Sequence, residues 1–465
     1  MIRAPAGKIA EAVGGRVAAG SPSVHFEKVV TDSRADCAGA LFVPLVGERR
    51  DGHDFIADAA GKGAAGCFSS RGAAPPGAPE GFVVIEARDT LEAYQKLAAW
   101  NRGRCRAVVA AVTGSCGKTT TKEMIRNVME ARLGEAVVGT AANENNEIGV
   151  PRALLRMGAG TKAAALEFGM RRPGDVSLLA KLARPDCGVI TNVEKTHIGL
   201  LGSEQAIADA KGELLECLDP GGVAVLNADN PWCGYLGKKT AAAIVKFGVR
   251  NKAEVTAREI SYGIDGVSFV LDSLGTRVPV RVPLLGEVNV YNALAAGAVA
   301  IVMGYGAEEL RAGLARQTFQ EGRMRKVMPD DGKLILDDTY NSNPASLRRA
   351  LELLGALPWN GRRVAVLGDM LELGDFSRDE HRAVGREAAV KYCDLLITFG
   401  TESKHIGDGA QHAGMDPEMV LHFDSISLFR RRALGLLLPD DLILVKGSRG
   451  MKMEEIVRLI AGENG

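Results

Sequence analysis

The sequence predicts an α/β protein of three domains: a small α/β domain, a central domain on a mostly parallel sheet, and a C-terminal Rossmann-like domain. Three observations carry this. At 465 residues the chain exceeds what one core of about 100 to 200 residues accommodates. From residue 107 onward, strand-length apolar runs alternate with helical patterns, as in a doubly wound sheet. After QEG at 320–322 that alternation restarts, which sets expected domains of 1–86, 87–322 and 323–465.

The elements follow in order. RGAAPPGAPEG (71–81) is an aperiodic Pro/Gly loop, and FVVIEA (82–87) a short strand that closes the first domain. Leu91, Tyr94, Leu97 and Ala98 give 89–102 a helical spacing, after which AVVAAVTG (107–114) is a continuous apolar strand. AAALEFGM, CGVITNV, GVAVLNA and AIVKFGV read as further buried strands. Between about 253 and 284 apolar and polar residues alternate with glycine turns, so an antiparallel patch is expected there, followed by a helix over 289–303. KLILDD, RRVAVLGD, DLLITFG and DLILVKG are the strands of the last domain.

Composition narrows the function classes. Lysine plus arginine and aspartate plus glutamate both total 57, which argues against an extended nucleic-acid footprint. The eight cysteines show no C-x-x-C spacing and read as reduced thiols. The first residues lack the apolar core of a signal peptide, and the most apolar run, 293–303, is too short to span a bilayer. The expectation is a cytoplasmic protein without membrane insertion, acting as a monomer.

VTGSCGKTTTKEM (112–124) joins a strand to a helix. Gly114 and Gly117 let backbone N–H groups approach a phosphate, Lys118 reaches terminal phosphates, and Thr119 is placed to ligate Mg²⁺, so the central domain is of P-loop ATPase type. The loop is two residues tighter than G-x-x-x-x-G-K-[ST]. Glu167 at a strand end and His197 in EKTHIG are candidate metal ligands; a solvated acid and a hydrogen-bonded loop histidine are the plain alternatives. On the helix 203–218, Lys211 shares the stripe of Ile207, Leu214 and Leu218. It is therefore either a desolvated amine open to carbamylation by CO₂ or a snorkelling lysine. NENNEIGVP (143–151) supplies amides for a polar substrate or for a turn. Asn289 is an N-cap candidate, and Asn292 serves either that turn or adenine. Arg323 is either a hinge arginine or a clamp on a transferring phosphoryl group.

With TGSCGKTTTKEM, NENNEIGVP, ALEFGMRRPGD, TNVEKTHIG, AKGE, LDDTYNSNPASL and VAVLGDMLELGD in that order, the chain resembles the Mur ligase family of peptidoglycan synthesis over essentially its whole length. The family's loop has the short T-G-x-x-G-K-T form. The resemblance implies an ATP-dependent carbon–nitrogen ligase that works through an acyl phosphate. It implies ATP contacts from Thr113, Gly114, Ser115, Cys116, Gly117, Lys118, Thr119 and Thr120, with Asn292 on adenine, Arg323 on the γ-phosphate and Asp338 on the ribose. Two Mg²⁺ sites are implied, drawing on Thr119, Glu167, His197 and a carbamylated Lys211, and the catalytic set is Lys118, Lys211, His197 and Arg323. Ser33, Arg34, Gly52, His53 and Asp54 match the family's uridine-nucleotide binder, with Asn143 and Asn146 in the amide-rich loop. Tyr340, Asn341, Asn343 and Pro344 match the dipeptide-adding branch. That branch implies UDP-MurNAc-tripeptide and D-Ala-D-Ala as substrates.

Cys116 stands where Ser or Asn is frequent in the family, and Val288 where relatives commonly carry His. The rival readings are an amino-acid-adding Mur ligase, a folylpolyglutamate-type ligase, which lacks the first domain, and a nucleotide-gated ATPase switch.

Overall fold

The computed structural model describes residues 4–463 apart from 48, 73–76, 142–143, 195–200, 274 and 320. Three sheets of five, nine and six strands follow one another along the chain. In the first, the strands order as Arg16–Ala19, Val83–Glu86, Gly66–Ser69, Ala40–Phe42 and Lys28–Val30, and only the Arg16–Ala19 pairing is antiparallel. The helix Thr90–Gly103 leaves this sheet, capped by Asp89, whose carboxylate accepts from the Leu91 and Glu92 amides at 2.8 and 2.9 Å. Its buried face carries Tyr94, Leu97 and Ala98, as the spacing requires.

In the central sheet, Val108–Thr113 lies between Ala163–Glu167 and Cys187–Ile190, all parallel. Their carboxyl ends therefore meet at one rim, where open α/β sheets bind ligands. Beyond Cys187–Ile190 come Val223–Asn227, Ala243–Gly248, Val255–Gly263, Gly266–Ser273 and the edge strand Thr276–Val282. The expected antiparallel patch is thus an extension of the same sheet: Val255–Gly263 pairs in parallel with Ala243–Gly248, and only the two following pairings are antiparallel. The opposite edge is the three-residue strand Val137–Gly139. The helices Lys118–Leu133 and Val288–Val302 bury Met124, Ile125 and Val128 with Val290, Ala293 and Leu294 in one core.

The third sheet is ordered Arg325–Val327, Leu334–Asp338, Leu442–Lys446, Arg363–Gly368, Leu395–Phe399 and Val420–Phe423. The last strand in sequence inserts between two early ones, so that Asp338 and Lys446 end as register partners on parallel neighbours. The short strands Arg325–Val327 and Val420–Phe423 fall outside the sequence expectation. Among the described residues no helix is long and apolar enough to cross a membrane.

Candidate nucleotide and ligation site

The loop after Val108–Thr113 turns at Gly114, with φ 148°, and at Gly117, with φ 80°. Both glycines are required twice over. A Cβ at Gly114 would run into Thr191 Oγ1, and one at Gly117 into Asn292 Oδ1. Gly117 is the N-cap of the helix that starts at Lys118, so the helix N–H groups face the loop interior. The loop is braced from the neighbouring strand end: the Cys116 amide donates to Asn192 Oδ1 at 2.8 Å, the Ser115 amide to Asn192 O at 3.0 Å, and Ser115 Oγ to Glu194 O at 3.1 Å.

Lys118 is half-buried and its ammonium donates to the Gly114 and Ser115 carbonyls at 2.8 and 3.3 Å. Desolvation lowers its pKa; Glu167 and Cys116 oppose this and Arg323 adds to it. These groups therefore share one electrostatic neighbourhood. Thr119 is buried beneath the loop, and Thr120 is half-buried. Thr113 Oγ1 is committed to the Phe168 carbonyl at 3.0 Å, so its hydroxyl holds the strand end.

Glu167 is 1% exposed. Its Oε1 accepts from Asn145 Nδ2 at 2.8 Å, while Oε2 is buried with no hydrogen-bond partner among the described residues. A buried carboxylate oxygen without a donor is costly. A cation beside it would satisfy it. Its backbone is held by Thr140, whose Oγ1 accepts the Glu167 amide at 3.0 Å, and Thr140 O in turn accepts from the buried Lys122 ammonium at 2.7 Å. Asn145 belongs to the amide-rich loop, where sequence alone singles out only its neighbours Asn143 and Asn146.

Lys211 lies inward on the helix Glu204–Glu216, 2% exposed beside Ile207 and Leu214. The helix sits close because Leu214 and Leu218 pack over Gly188, where no side chain intervenes. Desolvation, helped by the Lys118 charge, brings the Lys211 pKa down to about 7. At 2% exposure the Lys211 side chain does not snorkel to solvent in this structure. His197 and Asn143 lie outside the described residues.

Asn292 is buried with Nδ2 donating to Asn289 Oδ1 at 3.1 Å and Oδ1 accepting from Thr121 Oγ1 at 3.2 Å. Asn289 is not the N-cap expected from sequence. The helix begins at Val288 with Glu287 in the cap position, and Asn289 Nδ2 donates back to Leu285 O at 2.7 Å. It stabilises the entry to the helix from inside the first turn.

Beyond the central sheet, the Arg323 guanidinium stacks 3.9 Å from the Tyr340 ring centre. Asp338 Oδ1 accepts from the Met324 amide at 3.2 Å and Oδ2 from the Lys446 ammonium at 2.5 Å. Desolvation raises the Asp338 pKa, and Lys446 and Arg323 oppose that rise. Asn341 is exposed, with its carbonyl accepting from Lys446 Nζ at 2.8 Å. Asn343 caps the helix Pro344–Ala356 through the Ser346 amide at 2.9 Å, with Pro344 at the first helical position. Its Nδ2 also reaches Cys116 Sγ at 3.7 Å, so the element that carries Asn343 touches the loop between Gly114 and Gly117. Arg349 of the same helix pairs with Glu194 beside that loop.

The uridine candidates stand apart from this cluster, on the first sheet's domain. Ser33 is buried and its carbonyl accepts from Lys62 Nζ at 2.8 Å; Arg34 is exposed and forked onto Asp32. Gly52 packs against the Pro44–Leu45 backbone, where a Cβ has no room. His53 Nδ1 donates to Asp51 Oδ1 at 2.7 Å, while Nε2 accepts from the Ser70 amide at 3.1 Å, so both ring nitrogens are used internally. Asp54 lies 3.6 Å from Arg71. The segment meets the central domain where Arg152 donates to Thr31 Oγ1 at 3.1 Å, next to Asn146, whose Oδ1 accepts from the Ile148 and Gly149 amides at 3.2 and 2.9 Å.

Comparison with known proteins adds to this geometry. Three family models match: the Mur ligase family catalytic domain over residues 25–102, the Mur ligase middle domain over 112–300, and the Mur ligase glutamate ligase domain over 322–449. The UDP-N-acetylmuramoyl-tripeptide--D-alanyl-D-alanine ligase of Bacillus subtilis (strain 168) is 35% identical over 466 residues, covering 98% of each chain. The same-named enzyme of Escherichia coli (strain K12) is 36% identical over 448 residues, 95% of each. A crystal structure of MurF from Acinetobacter baumannii superposes with a TM-score of 0.91 at 29% identity, covering 99% of both chains. MurF of Thermotoga maritima in complex with ADP gives 0.81 at 25% identity, covering 94% of this chain and 97% of that one.

Proposed function

Because the chain belongs to the Mur ligase family, we propose that it joins D-alanyl-D-alanine to UDP-N-acetylmuramoyl-tripeptide, with ATP converted to ADP and phosphate. The product is the UDP-MurNAc-pentapeptide precursor of the cell wall. One observation carries this reading: relatives bearing that name match at 35–36% identity from end to end, through all three domains. A folate ligase lacks the first of these domains, and a nucleotide-gated switch has no use for a match of this extent.

In the proposed division of labour, 1–86 holds the uridine nucleotide, 87–322 the ATP, and 323–465 the incoming dipeptide. A terminal carboxylate oxygen of the tripeptide attacks the γ-phosphorus and the bond to ADP breaks, giving an acyl phosphate. The dipeptide amine, once deprotonated, attacks the acyl carbon, and phosphate leaves as the amide forms. The amides of Gly114 and of Gly117 to Thr120, with Lys118 and Arg323, would face the phosphates and offset the charge that develops in transfer, while Ser115 and Cys116, whose amides are bonded to Asn192, would shape the loop around them. Asn292 stands for adenine, Asp338 for ribose, Ser33, Arg34, Gly52, His53, Asp54, Asn143 and Asn146 for the uridine substrate, and Tyr340, Asn341 and Asn343 for the dipeptide. His53 and Asn146 would take part through the geometry they brace, since their ring nitrogens and side-chain oxygen are already engaged.

The orphaned Glu167 oxygen fits a hard cation, and Thr119, Glu167 and His197 would hold Mg²⁺. When bound, Mg²⁺ withdraws charge from the phosphates. A lysine with a pKa near 7 is neutral often enough at physiological pH to add CO₂, and the carbamate of Lys211 would supply a further oxygen ligand. One chain supplies every group invoked, so the proposed working unit is a monomer, and its need for ATP places it in the cytoplasm.

The test is phosphate release with ATP and each acceptor alone or together. Release that requires both UDP-MurNAc-tripeptide and D-Ala-D-Ala supports ligation. Substantial release without any acceptor sinks it in favour of an ATPase switch.

A further inference from the structure

Lys446 is 3% exposed and lies outside every group assigned above. It ends the strand Leu442–Lys446 as the register partner of Asp338 on the adjacent parallel strand. Among the described residues its ammonium donates to Asp338 Oδ2 at 2.5 Å and to the Asn341 carbonyl at 2.8 Å. The carboxylate it neutralises uses its other oxygen to hold the Met324 amide at 3.2 Å. Met324 has φ 53°, a left-handed conformation disfavoured for a residue with a side chain, so this turn needs an external hold. Directly before it stands Arg323, whose guanidinium rests on Tyr340. The Tyr340 amide closes the circuit by donating to Gly322 O at 2.9 Å. Two residues after Lys446, Ser448 Oγ donates to Ser342 O at 3.2 Å and braces the same loop.

We infer that Lys446 is a positioning residue for phosphoryl transfer, which acts through Asp338 on the turn at Met324 to fix the preceding arginine, Arg323, against Tyr340. The inference rests on the reading of Arg323 as the γ-phosphate clamp. The physical reason is geometric. With the ammonium removed, Asp338 becomes a buried carboxylate without its counter-charge. It then turns toward other donors or takes up a proton, and either change loosens its grip on the Met324 amide. Arg323 loses its fixed approach; the Asn341 carbonyl loses a donor too, but the loop that carries it keeps the Ser448 Oγ bond to Ser342 O and the helix cap at Asn343. The consequence falls on the chemical step more than on dipeptide capture, because displacement of a catalytic group by about 1 Å can cost 10²-fold in rate.

The experiment compares wild type, Lys446→Met, Asp338→Asn and the double variant in the full chain, with thermal melting as the check on folding. The double variant replaces the ion pair by a neutral pair, which a core tolerates better than a lone charge. Expected for Lys446→Met is a fall in kcat of about 10- to 100-fold, with KM for D-Ala-D-Ala within about threefold. The double variant should be no slower than the worse single one, since both act through the same turn. Folded Lys446→Met with unchanged kcat, a loss confined to the dipeptide KM, or losses that multiply in the double variant would each overturn the inference. If wild type shows no acceptor-dependent turnover, it is the ligase reading that fails. The coupling is then read from ATP affinity by calorimetry, where non-multiplying losses support it and multiplying losses refute it.

Discussion

Lys211→Met should make the protein more stable and inactive at once. An amine that folds with its pKa brought from 10.5 to about 7 is destabilising by roughly 5 kcal/mol when protonated, at about 1.4 kcal/mol per pH unit. The sign follows from proton counts. Below about pH 7 both folded and unfolded chains hold the proton, and the full penalty is present. Between about 7 and 10.5 the unfolded chain binds more protons than the folded one, so wild-type stability rises with pH across that window. A methionine of similar length fills the stripe beside Ile207 and Leu214 without a charge. The gain over wild type should therefore be a few kcal/mol at pH 6 and shrink steadily toward pH 10. Urea midpoints at pH 6, 8 and 9.5 in bicarbonate-free buffer measure it, alongside phosphate release at each pH. Equal midpoints at pH 6, or a gain independent of pH, would refute the burial argument. Retained activity of the methionine variant would remove the carbamate proposal.

Other expectations are more local. Gly117→Ala forces φ 80° on an alanine and drives its Cβ into Asn292 Oδ1; with about 1–2 kcal/mol from the backbone alone, ADP affinity should drop about tenfold or more by calorimetry. An alanine variant that binds ADP like wild type would contradict the loop geometry. His381 is buried with Nε2 accepting from the Met370 amide at 3.0 Å and Nδ1 donating to Ser377 O at 2.7 Å. Desolvation lowers its pKa below 6.5, so the unfolded chain takes up the proton first and stability falls as pH drops below about 6.5. The urea midpoint should decline from pH 7 to 5, and His381→Gln should flatten that decline. Arg349→Ala removes one partner of Glu194 across the domain contact; the half-buried arginine predicts a stability loss of about 1 kcal/mol or less. Its main effect should be a higher KM for the dipeptide, and an unchanged KM would show that this contact does not help close the site.

Much of this site is legible in the sequence because its parts are local. The strand, the two glycines and Lys-Thr lie within a dozen residues, and helical spacing alone turns Lys211 inward beside Ile207 and Leu214. Long-range pairings are not legible. Nothing in KGSR announces that Lys446 meets Asp338, which lies 108 residues earlier, until the last strand inserts beside Leu334–Asp338. Asn145 is hidden among equivalent amides, and its contact with Glu167 depends on how the loop folds over the neighbouring strand. Asn289 misleads because asparagine caps helices, whereas here the turn at Gly286, with φ 90°, sets the cap two residues earlier, at Glu287. Arg325–Val327 is too short, at three residues, to show a period.

The edge strand Thr276–Val282 buries Val278, Val280 and Val282 and turns Arg277, Pro279 and Arg281 outward. Proline offers no N–H to an incoming strand, and two outward guanidinium groups repel a second copy of the same edge. The far edge offers three residues, too few to seed a pairing. A sheet this wide can thus stand in a crowded cell without growing sideways into its neighbours.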